Sequence, residues 1–150
     1  MTVNEILDFA IEREQEAVDF YTHLGSMAQN AAMKDVFEQF ANEERGHKAK
    51  LLKVKDGERG LISGGGGAHV PDLKIGDYLV EEEPTPDISY QNALILAMKK
   101  EKAAFRLYSD LAGKAEDAQV RALFEDLAQE EARHKLRFEI EYDEHILTEN

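Results

Sequence analysis

From residue 3 the apolar positions advance by alternate steps of four and three: Val3, Leu7, Ala10, then Ala17, Tyr21 and Leu24. The same rhythm returns in Met33, Phe37, Phe40, Leu51 and Val54. It returns again in Leu94, Ala97, Ala104, Tyr108 and Leu111, and in Val120, Phe124, Leu127 and Phe138. A 3.5-residue repeat marks the inner seam of packed helices. Four such runs predict four helices, in two blocks of about residues 3–56 and 88–146. Thr2 with Glu5 reads as a capping box for the first helix. Asn30 reads as the cap of the second, and Asp87, behind Pro86, as the cap of the third. Gly113 is expected to break the third helix from the fourth. Residues 57–87 hold all three prolines and the GGGG of 64–67, a density that stops helices. Within them IGDYLV (75–80) reads as a short strand or a packed loop. Two short turns and one long crossover between the second and third helices predict an all-α four-helix bundle, a single domain over 1–150.

Each seam turns polar near its middle. Glu14 interrupts the first, Glu44 and His47 the second, Glu101 the third, Glu131 and His134 the fourth. The interruptions match because the chain repeats itself. Residues 10–51 laid on 97–138 without a gap give 14 identities in 42 positions, Glu14/Glu101, Tyr21/Tyr108, Glu44/Glu131 and His47/His134 among them. An internal duplication of a helix–turn–helix unit follows, and with it a pseudo-two-fold bundle.

A bundle seam is where side chains are buried, and an unpaired buried carboxylate costs several kcal/mol even after relaxation. Four carboxylates together also repel one another and favour protonation. The seams offer no lysine or arginine to offset them. Two divalent cations would balance four carboxylates. A glutamate can bridge two ions, imidazole can end the coordination, and Glu-x-x-His places both groups on one helix face. One Glu from each of two helices with Glu-x-x-His from the other two is the pattern of di-iron and di-manganese carboxylate bundles. Glu43 and Glu130 stand four residues before the histidines but beside the seam, so Glu44 and Glu131 are preferred. Tyr21 and Tyr108 read either as core tyrosines with satisfied hydroxyls or as hydrogen-bond partners of the carboxylates.

EQEAVDFY and EKAAFRLY, with FEQFANEERGH and FEDLAQEEARH, resemble the rubrerythrin family of the ferritin-like superfamily. The likeness covers both helical blocks and leaves out the middle. It implies a ferritin-like bundle in which Glu14, Glu44, His47, Glu101, Glu131 and His134 bind two iron ions, with Tyr21 and Tyr108 orienting carboxylates. It implies a redox enzyme that reduces hydrogen peroxide or dioxygen, or oxidises Fe(II), and a homodimer. Full-length rubrerythrins carry a cysteine-bound iron in a rubredoxin domain. This chain has no cysteine, so electrons would come from a separate rubredoxin-like or other reductase. Rubrerythrins proper also have a further glutamate three residues after the third-helix ligand, tied to iron movement in peroxide reduction. Ala104 stands there, matching Ala17, so the expected donor set is symmetric. Manganese suits the same donors.

The formal net charge of −13 repels nucleic acid and anionic lipid. No apolar run approaches the ~20 residues that span a membrane, and the acidic start carries no secretory pattern. Absence of cysteine excludes disulfides and suits a cytoplasmic setting. His23, His69 and His145 have no carboxylate at ligand spacing and read as surface or loop residues; Glu81, Glu82 and Glu83 read as a solvated run. The competing function is iron handling without turnover. Storage would need a hollow shell, of which the sequence shows no sign.

Overall fold

A computed structural model describes residues 3–56, 79–80 and 82–149, with side chains to residue 145. It contains four helices, α1 (Val3–Ser26), α2 (Ala31–Asp56), α3 (Tyr90–Lys114) and α4 (Ala118–Glu149). No strand occurs among the described residues. Helix α1 packs along α2, and α3 along α4. The two blocks expected from the seam pattern are therefore two helical hairpins. The crossover of 57–78, the GGGG run, His69, Thr2 and most of IGDYLV lie outside the described residues. Leu79 and Val80, at the end of that stretch, are in neither helix nor strand.

Local chemistry sets the helix ends. Asn30 caps α2 as expected, its Oδ1 accepting from Met33 N–H at 2.9 Å. The third helix starts later than Asp87. Ser89 is its cap, accepting from Asn92 N–H at 3.1 Å. The turn closed by Ile88 N–H and Thr85 carbonyl contains Asp87, which leaves Ser89 as the first free side-chain acceptor. Nor does Gly113 break α3 from α4. It lies inside the last turn of α3 with negative φ, and the break falls at Ala115, which is extended. Asp117 then opens α4, taking the N–H groups of Gln119 and Val120 at 2.8 and 3.0 Å.

The seams are the core, and the core comes in two parts. Leu7, Leu51, Leu111, Phe124 and Leu127 belong to one apolar cluster; Tyr21, Phe37, Phe40, Leu94 and Phe138 belong to the other. The six polar seam residues are buried too. Glu44 and Glu131 are 1% exposed, Glu14 and Glu101 2%, His47 and His134 4%. Ala17 and Ala104 depart from the pattern. They hold seam positions yet are only half-buried, because they line a cavity between α1 and α3.

Candidate metal centre

The heptad spacing that buries leucines elsewhere delivers a carboxylate from each of four helices to one level. Glu14 comes from α1, Glu101 from α3, Glu44 with His47 from α2, and Glu131 with His134 from α4. The two imidazoles lie parallel, ring centres 5.4 Å apart at an interplanar angle of 7°. Each turns Nδ1 inward and across the repeat. His47 Nδ1 is 2.8 Å from Glu131, and His134 Nδ1 is 2.9 Å from Glu44. Glu14 lies 3.6 Å from His47, and Glu101 3.6 Å from His134.

Two groups of donors result, each with ligand atoms within 4.8 Å of one another: Glu14, Glu44, His47 and Glu131, and Glu44, Glu101, Glu131 and His134. Glu44 and Glu131 belong to both. Shared carboxylates between two terminal Glu–His pairs are what bridging of two cations requires.

The tyrosines tie the hairpins together. Tyr108 of α3 donates its hydroxyl to Glu14 Oε1 of α1 at 2.5 Å, and Tyr21 of α1 donates to Glu101 Oε1 of α3. Burial, then the charges of the facing glutamates, holds both phenols well above their usual pKa, so they remain neutral donors.

Packing this many ionisable groups out of water redistributes protons. Burial, then the charge of Glu44, pushes Glu14 well up; burial with the charges of Glu101 and Glu44 does the same to Glu131. Burial would also raise Glu44, but the close approach of Glu14, His134 and His47 outweighs it and holds that carboxylate below its usual range. Burial would lower both histidines. The facing carboxylates of Glu14 and Glu44 instead raise His47 to about 11, and those of Glu101 and Glu44 raise His134 to about 9. A chain without cations therefore keeps protons where cations would sit.

The inward atoms fit a cation. Glu14 Oε2, Glu101 Oε2, Glu131 Oε1 and His47 Nδ1 are buried without a hydrogen-bond partner. An orphaned buried polar group costs about 1–3 kcal/mol, and four of them converge here. His47 Nδ1 and Glu131 Oε1 are close but not aligned for a hydrogen bond. A positive ion is a partner that serves all four.

A family model described as Rubrerythrin matches residues 5–142. The chain belongs to the rubrerythrin family. Among solved structures, a Thermotoga maritima protein provisionally described as a ferritin-like diiron-carboxylate protein is 23% identical over 97% of each chain, with a TM-score of 0.79. A Pyrococcus furiosus protein described as hypothetical is 25% identical over 95% of this chain and 89% of its own, with a TM-score of 0.67. No curated protein matches. The ferritin-like fold is thus established.

Two features of this rubrerythrin-family chain were not assigned from sequence. The first is the role of Glu43 and Glu130. They hold the outer nitrogens of the histidines, each across the repeat: Glu130 Oε2 stands 2.5 Å from His47 Nε2, and Glu43 Oε2 3.3 Å from His134 Nε2. The doubled glutamate of EExxH therefore gives one carboxylate to the inner cluster and the next to the back of the opposite histidine. The repetition of both glutamates in both halves was the available signal. The second is a cavity of about 630 Å³ between α1 and α3. Its wall includes Ala17, Ala104, Tyr21, Tyr108 and the carboxylates Glu14 and Glu101, with Val80 and Pro84 alongside. Of the other histidines, His23 is exposed and joins that wall, and His145 packs edge-on to Tyr90 at 5.2 Å. No helix among the described residues is long and apolar enough to cross a membrane.

Proposed function

We propose that this chain is a dinuclear iron protein that reduces hydrogen peroxide or dioxygen, with Glu14, Glu44, His47, Glu101, Glu131 and His134 as the metal ligands. The observation that carries this reading is the pair of four-residue donor groups sharing Glu44 and Glu131. Four carboxylates balance two divalent ions, which accounts for a buried layer that has no lysine or arginine in its seams. Two ferrous ions held by these residues would supply two electrons to one O–O bond.

The chain's own residues do the rest. Glu14 and Glu101 each spend one oxygen on a tyrosine hydroxyl, which fixes the carboxylate and aims the other oxygen inward. His47 and His134 keep Nδ1 inward because Glu130 and Glu43 hold Nε2. The cavity brings a small oxidant to the carboxylate layer beside Tyr21 and Tyr108, whose neutral hydroxyls stay protonated. Peroxide takes up two electrons and two protons and leaves as two waters. The 150 residues hold no cysteine for a second iron site, so the electrons come from a donor outside them. The open cavity favours turnover over passive holding of iron, because a holding site has no need of a path for a second reactant.

The test is elemental analysis of protein prepared without oxygen, followed by rapid mixing of the diferrous form with peroxide. About two irons per chain and fast oxidation are expected. No metal after Fe(II) reconstitution would refute the dinuclear site. Two irons with no faster oxidation than free Fe(II) would leave iron handling as the function.

A further inference from the structure

The two halves repeat the same outer arrangement without repeating its distances. Glu130 gives one oxygen to each neighbour: Oε2 to His47 at 2.5 Å and Oε1 to Lys50 at 3.3 Å. Glu43 divides a single oxygen, Oε2, which lies 2.8 Å from Arg137 and 3.3 Å from His134. Lys50 and Arg137 are the same position in the 87-residue repeat, and so are Gln39 and Asp126, and Phe40 and Leu127. Those substitutions explain the difference. Arg137 is braced over the Phe40 ring, 4.3 Å from its centre, and draws Glu43 towards itself. Lys50 is shared with Asp126 at 3.4 Å, so it competes less for Glu130. Glu130 is left to His47; Glu43 is partly withdrawn from His134.

We propose that this outer asymmetry makes the two metal positions of a symmetric donor set unequal. The group of Glu14, Glu44, His47 and Glu131 fills first, and the group of Glu44, Glu101, Glu131 and His134 second. The inference rests on the dinuclear reading above. A carboxylate on the far nitrogen fixes the imidazole tautomer, leaves Nδ1 free to bind and makes it a stronger donor. The closer and less neutralised that carboxylate, the larger the effect. Glu43 and Glu130 are positioning residues here: they act on metal through the histidines.

The probe is Co(II) added to metal-free protein. With one equivalent, anomalous scattering from crystals should place the ion beside His47. In solution the titration should resolve two steps up to about tenfold apart, the lower end of what losing such a partner outright costs. Glu130→Gln keeps a hydrogen-bond acceptor and removes the charge; it should weaken the first step by about 10-fold and leave a folded helical protein. Glu43→Gln should leave the first step in place. The double exchange Lys50→Arg with Arg137→Lys should narrow the gap, which a merely structural role for these residues would not do. Equal occupancy from one equivalent, or first filling beside His134, overturns the inference and leaves the dinuclear reading standing. No Co(II) bound at all overturns both.

Discussion

Tyr108 on α3 donates its hydroxyl to Glu14 on α1 at 2.5 Å, and the repeat supplies the reverse bond, Tyr21 on α1 to Glu101 on α3. These two bonds cross the face where the hairpins stand apart around the cavity. They join the hairpins and aim the carboxylates at once. Tyr108→Phe leaves a buried glutamate oxygen without its donor, a loss of about 1–3 kcal/mol. Metal affinity should fall by about tenfold through the freed carboxylate. Chemical denaturation of the metal-free form and a Co(II) titration check the two effects separately. An unchanged affinity with lowered stability would restrict the tyrosine to packing.

Glu44 and Glu131 belong to both donor groups, so their removal should be worse for metal than for the fold. Glu44→Ala with Glu131→Ala takes out the shared carboxylates and also two mutually repelling buried acids. Dinuclear loading should vanish while circular dichroism shows the helices intact. Two metal ions per chain in that variant would mean that other residues bind them.

Protonation ties metal loading to pH. Glu14, Glu131, His47 and His134 all hold protons more strongly in the folded metal-free chain than their usual values allow, with His134 raised to about 9 and His47 to about 11. Near neutral pH, cations must displace these protons. Loading should therefore release protons, and apparent affinity should fall by about tenfold per displaced proton for each unit of pH lowered. Titration calorimetry in buffers of different ionisation enthalpy measures the number released. The metal-free fold should respond oppositely. The stability that His134 contributes is complete below about 6.5 and is lost as pH rises through about 9. Its melting temperature should fall across that window. Loaded protein, whose histidines no longer carry the Nδ1 proton, should not show this fall.

The seams were legible because burial obeys a simple rule: 3.5-residue spacing puts Leu7, Phe37, Leu94 and Phe124 inside, and Glu14 and His47 with them. The same rule put Ala17 and Ala104 on the seam but could not show that they are only half-buried, since periodicity gives a direction and not the width of the gap to be filled. The end of the third helix was misread at Gly113 because glycine permits a left-handed turn without requiring one, and this one continues the helix. Placing the third cap at Ser89 and not at Asp87 needed the Thr85–Ile88 turn, which depends on backbone geometry. Glu43 and Glu130 fall beside the seam, and their pairing across the repeat arises only when α2 and α4 come together.

The half-buried alanines make the cavity testable. Ala17 and Ala104 sit one turn after Glu14 and Glu101 on the cavity wall, where a larger side chain would project into the space beside the carboxylates. Ala104→Leu should fill part of the roughly 630 Å³ without touching a ligand. Metal content should stay at two per chain, and oxidation of the diferrous form by peroxide should slow. Azide provides a readout independent of turnover: its binding to the oxidised, loaded protein should weaken by the same substitution. Ala17→Leu, at the matching position, should act in the same direction. Ala104→Ser, which adds little volume, should leave both rate and azide binding close to those of the parent chain. An unchanged peroxide rate in both leucine variants, with two metals still bound, would show that the oxidant arrives by another path.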